Sequence, residues 1–241
     1  MGGDDAGVGH VLTRREALGL VGAPAVLMLA GWSSPPESSG SRSGCVVRPQ
    51  QTEGPYFVDE SLNRSDIRSD PSDGSIKPGA RLDLAFKVSR LSADVCAPLA
   101  GALVDVWHCD HLGVYSDVED PDFNTVGKKF LRGYQATGPD GVARFTTIYP
   151  GWYHGRTVHV HFKIRSAPSR APGFEFISQL YFDDTLTDEV HARPPYAAKG
   201  QRRERNSRDR IFSRGGSQLL LAPARNSQGY AATFEIAIQD A

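Results

Sequence analysis

From Arg81 onward the sequence keeps returning to one pattern, a short run of alternating apolar and polar residues closed by glycine, proline or aspartate. Arg81–Val88 alternates apolar and polar residues, and Ala102–His108, Val142–Ile148, Thr157–Ile164, Glu175–Phe182, Gln218–Leu221 and Tyr230–Ile238 follow with β-branched and aromatic residues. Successive side chains on a strand point to opposite faces, so a period of two describes strands with one face toward a core. Pro98-Leu-Ala-Gly101 and Pro139-Asp-Gly141 supply turns between them. No stretch within these runs carries a long helical period. The fold class expected is all-β, an antiparallel β-sandwich, with long loops at 109–130 and 183–210 that carry a mononuclear metal site.

At 241 residues the chain can bury one substantial core. Thr13-Arg14-Arg15-Glu16-Ala17-Leu18 precedes an apolar run from Leu18 to Ala30, the layout of an export signal, and the paired arginines point to the twin-arginine route. The run is short for a transmembrane span, so no stable membrane insertion is expected once the signal is removed. The expected organisation is a twin-arginine-type signal over 1–32, a Ser/Pro/Gly-rich linker over 33–44 and a β-sandwich domain over 45–241, placing the protein outside the cytoplasm as a secreted or cell-envelope protein. In an oxidising compartment two of Cys45, Cys96 and Cys109 would pair, and all three pairings are open. A net charge of −1 with mixed signs gives no reason to expect a nucleic-acid partner. The basic run Lys199–Arg210 is interleaved with acids and reads as a solvated loop.

The chemistry concentrates in Tyr149-Pro-Gly-Trp-Tyr-His-Gly-Arg-Thr-Val-His-Val-His-Phe-Lys-Ile-Arg165. His159 and His161 sit at i and i+2 of a strand, on one face, where two imidazoles can converge on a metal. Tyr153 lies just before them, and Tyr115 follows the strand 102–108. A phenol ionises near pH 10 in water, yet a highly charged cation beside it can hold the phenolate at neutral pH. Two hard phenolate oxygens with two imidazoles suit iron(III) better than zinc, so a mononuclear non-haem iron(III) site is expected. His108 and His111, at i and i+3 across a strand exit, would not share a face, and His154 and His191 read as surface or loop residues.

Around these residues the chain resembles the intradiol ring-cleavage dioxygenases, the family of catechol and protocatechuate dioxygenases. The resemblance runs from Cys45 to Phe182 and more loosely over the final strands. It rests on Pro98-Leu-Ala-Gly-Ala-Leu-Val-Asp-Val-Trp-His108, Gly-Val-Tyr115-Ser, Arg132-Gly133 with Gly141 and Thr147-Ile148, and Pro150-Gly-Trp-Tyr153 leading into Arg156-Thr-Val-His159-Val-His161-Phe. The Thr52-Glu-Gly-Pro-Tyr56 entry and Trp-His-Cys-Asp110 look most like the exported branch. The resemblance implies one Fe(3+) per chain held by Tyr115, Tyr153, His159 and His161, with water or hydroxide completing its shell and Tyr153 displaced by substrate. It implies that Arg156 steadies negative charge on the activated ring, that Gln179 lies near the metal and a substrate oxygen, and that Pro55 and Tyr56 line the substrate pocket.

The function implied is cleavage of a catechol-type ring between its two hydroxyls by O2, giving a muconate-type diacid. A transthyretin-like β-sandwich binding module, or a protein that binds catechol or metal without cleaving the ring, is the alternative, because a fold does not fix a function. Homo-oligomerisation is left open, since the helical dimerisation region of the catechol-specific branch has no counterpart here. The loops 118–129 and 191–210 match nothing in the family, so the particular catechol is not implied.

Overall fold

The computed structural model describes residues 44–93, 95–167 and 173–239. The segment expected as an export signal, and the linker up to residue 43, lie outside the described residues. The alternating run becomes the longest strand among the described residues, β1 (Arg81–Ser92), followed by β2 (Val95–Pro98), β3 (Leu103–Trp107), the short pair β4 (Glu119–Asp120) and β5 (Phe123–Asn124), and β6 (Arg132–Ala136). Then come β7 (Val142–Ile148), β8 (His159–Arg165), β9 (Glu175–Phe182), a helix α1 (Asp184–His191), β10 (Leu220–Leu221), β11 (Ala224–Asn226) and β12 (Gly229–Gln239).

Two five-stranded sheets form the sandwich. In the first, β12 lies along one edge of β1 and carries β11 outside it, while β7 and β2 share the other edge of β1 at Arg81–Lys87 and Ser89–Ser92. The second has the order β10-β9-β8-β3-β6. The alternation sorts the faces: Leu82, Leu84, Phe86 and Val88 of β1 and Tyr230, Ala232, Phe234 and Ile236 of β12 are buried against Val160, Phe162 and Ile164 of β8. The Phe86 and Phe162 rings meet at 5.2 Å between centroids, and Phe162 and Phe234 at 5.5 Å. Each such side chain contributes about 1.5–3 kcal/mol by leaving water.

The sandwich is as expected, but its sheets are mixed. β12 runs parallel to β1 and β10 parallel to β9, while the remaining pairings are antiparallel. Direction cannot be read from alternation, because a period of two is the same in either. The segment 183–210, expected as loop, contains α1, whose first turn is capped by the Asp183 carboxylate accepting from the Thr185 and Leu186 N–H groups at 2.8 and 3.2 Å. With Leu186 and Val190 as its only large apolar residues, α1 leaves no helical period in the sequence. Cys45 and Cys96 form a disulfide, tying the N-terminal segment to β2, and Cys109 is a buried free thiol. Among the described residues no helix is long and apolar enough to cross a membrane.

β8 is buried on both faces. Val160, Phe162 and Ile164 fill the core, so His159, His161 and Lys163 must occupy the opposite face. Register then places Trp107 of β3 and Gln179 of β9 on either side of His161, with Tyr181 beside His159. What covers this outer face is not a third sheet but the loops, and there the chemistry gathers.

Candidate metal centre

The two strand histidines converge as the i, i+2 spacing predicts. Their Nε2 atoms are 3.0 Å apart, and both rings are buried. The Tyr153 hydroxyl lies 3.2 Å and the Tyr115 hydroxyl 3.5 Å from the same His159 Nε2. Two residues far apart in sequence thus bring oxygens to the point where two imidazole nitrogens meet. Among the described residues no group of three or more His, Cys, Asp or Glu could hold a metal. Two tyrosines are what complete this set.

Tyr115 is delivered by a turn that the Asp110 carboxylate organises, accepting from the Leu112 and Val114 N–H groups at 2.9 and 3.1 Å. Arg132 on β6 donates to the Ser116 hydroxyl at 2.7 Å and to the Ser116 carbonyl, and Thr125 donates to the Tyr115 carbonyl at 2.6 Å. Tyr153 comes from a second turn that packs backbone to backbone on the first. Gly151 N–H donates to the Asp110 carbonyl at 3.1 Å, and a Cβ at Gly151 would fall 2.5 Å from the carbonyl oxygens of Asp110 and His111. Lys199 stitches the two turns together, donating to the Leu112 carbonyl and, at 2.5 Å, to the Trp152 carbonyl.

The tautomer of His159 is set by its Nδ1, 2.6 Å from the Thr157 carbonyl, which requires Nδ1–H and leaves Nε2 a lone pair. Burial, then the charge of Arg156, holds the His159 imidazolium pKa well below its ordinary value, and burial with His159 and Arg156 does the same for His161. Both rings are therefore neutral donors. Trp107 stacks on His161 at 5.0 Å with the planes 8° apart, and His161 Nδ1 is buried without a partner. The phenols behave oppositely: burial drives the Tyr115 and Tyr153 pKa values up, though the charge of Arg156 opposes this at both. Without a cation they stay protonated. Neutral imidazoles and phenols that ionise only against strong positive charge are a donor set that fits a hard trivalent ion and leaves the site unsatisfied by protein alone.

Arg156 reaches this point from the turn before β8. Its Nη1 is 3.5 Å from His159 Nε2, its Nη2 donates to Gln179 Oε1 at 2.5 Å, and its Nε donates to Asp209 Oδ2 at 2.8 Å. Gln179 is fully buried, donates to the Thr52 carbonyl at 2.8 Å and accepts from the Tyr181 hydroxyl at 3.1 Å. Of the pocket residues expected from the sequence, Tyr56 stacks on Tyr115 with centroids 4.5 Å apart and donates to Asp120 Oδ2 at 2.7 Å. Burial, then the Asp120 hydrogen bond, pushes its phenol up to about 12. Neighbouring Pro55 is exposed, and Gly54 lies so close that a Cβ there would stand 3.1 Å from His161 Cε1.

Other expectations sort differently. His108 is buried and bonded elsewhere, with Nε2 2.6 Å from Thr147 Oγ1, and His154 is exposed. His191, expected as a surface or loop residue, is buried at the end of α1: it stacks on Tyr196 at 5.0 Å and its Nε2 lies 2.9 Å from the Pro150 carbonyl. The run 199–210 is not simply solvated, since Arg202 and Asp209 are buried. Asp209 was missed in the sequence because it sits in a basic, loop-like stretch; only its position among cations hinted at a paired carboxylate.

A family model described as Dioxygenase matches residues 52–207. The chain is 33% identical over 150 residues to catechol 1,2-dioxygenase 2 of Acinetobacter lwoffii, a match covering 56% of this chain and 51% of the relative. It is 32% identical over 104 residues to a chlorocatechol 1,2-dioxygenase of Pseudomonas putida, covering 35% of this chain and 36% of the relative. The chain thus spans about half the length, or less, of the curated relatives it matches. Its fold superposes on an intradiol ring-cleavage dioxygenase from Tetranychus urticae with a TM-score of 0.69 at 29% identity, covering 81% of this chain and 95% of that one. The dioxygenase domain of a dioxygenase carbohydrate-binding protein fusion from Streptomyces sp. SirexAA-E superposes with a TM-score of 0.55 at 30% identity, covering 81% of this chain and all of that domain.

Proposed function

The chain belongs to the intradiol ring-cleavage dioxygenase family, and from that premise we propose that it is an iron(III) enzyme cleaving catechol-type rings between their two hydroxyls. The observation that carries this reading is the convergence of the Tyr115 and Tyr153 hydroxyls with His161 Nε2 on His159 Nε2, all within 3.5 Å. Tyr115, Tyr153, His159 and His161 would hold one iron(III) per chain. A metal held there would supply Lewis-acid activation of a catechol toward O2.

The chain's own residues do the rest. Tyr153, half-buried beside the Tyr56 ring, is placed to take a substrate hydroxyl proton at its Oη. Arg156, held by Asp209 and Gln179, directs Nη1 at the convergence point, a fixed positive charge where negative charge develops on the ring. The Gln179 carboxamide spends its oxygen on Arg156 and Tyr181 and its nitrogen on Thr52, so it fixes Arg156 and the Thr52–Tyr56 entry at once. Tyr56 and Trp107, stacked on Tyr115 and His161, exclude water from the ligand rings. Relatives named for catechol and chlorocatechol support a small catechol as substrate. The Cys45–Cys96 disulfide supports the exported location expected from the N-terminal sequence.

Incubation of the iron-loaded protein with catechol and chlorinated, alkylated or carboxylated catechols under 18O2 tests this. Oxygen uptake and a diacid containing two 18O atoms are expected. No uptake across the panel, or a product bearing an aldehyde from cleavage outside the hydroxyl pair, contradicts it.

A further inference from the structure

We propose that Asp209 is the positioning residue for Arg156, and that the loop carrying it, 206–212, sets the direction of the charge at the metal centre; this rests on the function proposed above. The Asp209 side chain is fully buried, and its two oxygens divide their work. Oδ1 serves its own turn, accepting from the Ile211 and Phe212 N–H groups at 2.7 and 2.9 Å. Oδ2 faces the other way, accepting from Arg156 Nε and from the Thr157 N–H, both at 2.8 Å. A local turn needs only the first oxygen.

The second has consequences at the site. A guanidinium is planar, so fixing two of its nitrogens fixes the third. Asp209 holds Nε and Gln179 holds Nη2, which leaves Nη1 aimed at His159 Nε2, 3.5 Å away. The same Oδ2 holds Thr157, whose carbonyl meets His159 Nδ1 and whose hydroxyl donates to Asn206 Oδ1 at 2.7 Å. Asn206 is anchored in turn, donating to the Phe182 carbonyl at 2.8 Å. Both the arginine and the tautomer of one metal-directed histidine are thus referred to a single loop. Burial alone would raise the Asp209 pKa, yet the Phe212 and Thr157 N–H groups and the Arg156 charge outweigh it, and the carboxylate stays ionised.

Asp209→Asn separates the two roles. Its carbonyl can keep the Oδ1 bonds, while an amide NH2 in place of Oδ2 would confront the Arg156 and Thr157 donors. Full-length wild type, Asp209→Asn, Asp209→Glu, Arg156→Ala and the Asp209→Asn/Arg156→Ala double variant are compared in steady-state turnover with catechol. The Arg156 Nε–H resonance is followed by 15N NMR in protein loaded with gallium(III), a diamagnetic ion of the same charge, or as isolated where no metal is taken up. We expect Asp209→Asn to lower kcat roughly 10–100-fold with KM and iron content little changed, to lose the slowly exchanging Nε–H signal, and to cost clearly less in the Arg156→Ala background than in the wild type, the remainder being the Thr157 N–H that Oδ2 also accepts. Asp209→Glu, which keeps the charge, recovers part of the rate.

Wild-type kcat in Asp209→Asn, a retained Nε–H signal, or losses that multiply in the double variant would overturn the proposal. Should the asparagine variant fail to fold, Asp209→Glu is combined with Arg156→Ala instead. A rate loss that shrinks in that background supports positioning, and one that persists in full refutes it. If the wild type cleaves no catechol, the proposed function falls, and the Nε–H signal alone then decides whether Asp209 orients Arg156.

Discussion

Tyr153 is where the residue-level account is most exposed to test. Its hydroxyl sits 3.2 Å from His159 Nε2 with the phenol pKa driven upward by burial, so it becomes an anionic ligand only opposite a strong cation, and it regains a proton readily when displaced. Tyr153→Phe keeps the ring, which packs edge-on against Tyr115 and Tyr56, and removes only the oxygen. Folding should be unaffected by thermal melting, while kcat with catechol falls roughly 100-fold or more, the range of a lost proton acceptor. A variant with unchanged turnover would remove Tyr153 from the chemistry. At this scale much was legible. The His-X-His spacing forces two imidazoles onto one strand face, and tyrosines near it are hard donors. Asp209 was not legible, because a carboxylate buried by tertiary contacts looks in sequence like any acid among arginines.

Between elements, the site depends on two turns held against each other. Gly151→Ala would drive a methyl into the Asp110 and His111 carbonyls, pushing the Tyr115 turn away from the Tyr153 turn. We predict a loss of about 1–3 kcal/mol in chemical denaturation and weaker iron retention against a chelator. A stable Gly151→Ala protein that holds iron like wild type would show that the turns are not set by this contact. The Cys45–Cys96 bond closes a separation of 51 residues, so the Cys45→Ser/Cys96→Ser variant should lose about 4 kcal/mol by chain entropy. Its Tm should fall roughly 10 °C, and an unchanged Tm would refute that role. Strands β7 and β9 were readable to the residue from alternation. β6 was not: Arg132–Ala136 is polar and only partly buried, so its membership in the sheet comes from pairing with β3 rather than from its own pattern. α1 was hidden for the same reason, its burial being created by Pro150 and Tyr196 rather than by an apolar stripe.

Across the whole molecule, the buried histidines make stability depend on pH with a definite sign. Burial lowers the His108 pKa from 6.5 to about 4, so between those values the unfolded chain binds a proton that the folded chain does not. The contribution of this neutral imidazole is complete above the unfolded value and is lost as pH falls toward 4, amounting to roughly 3 kcal/mol. Urea denaturation between pH 7 and pH 4 should show this acid loss, with His159 and His161 adding in the same direction in metal-free protein. His108→Gln should show a shallower dependence, and equal slopes would mean that His108 is not the group responsible. The sandwich itself was legible because two faces of opposite polarity repeat along β1 and β12. The parallel course of β12 beside β1 was not, since strand direction is decided by how the chain returns across the sheet.

Whether Tyr115, Tyr153, His159 and His161, gathered over the outer face of the second sheet, hold iron(III) is read from the visible absorption spectrum of the iron-loaded protein. One iron per chain is expected, with a red-brown charge-transfer band from tyrosinate to iron that weakens in Tyr153→Phe and in Tyr115→Phe. A colourless protein with iron bound, or one that takes zinc stoichiometrically and never colours with iron, would contradict it.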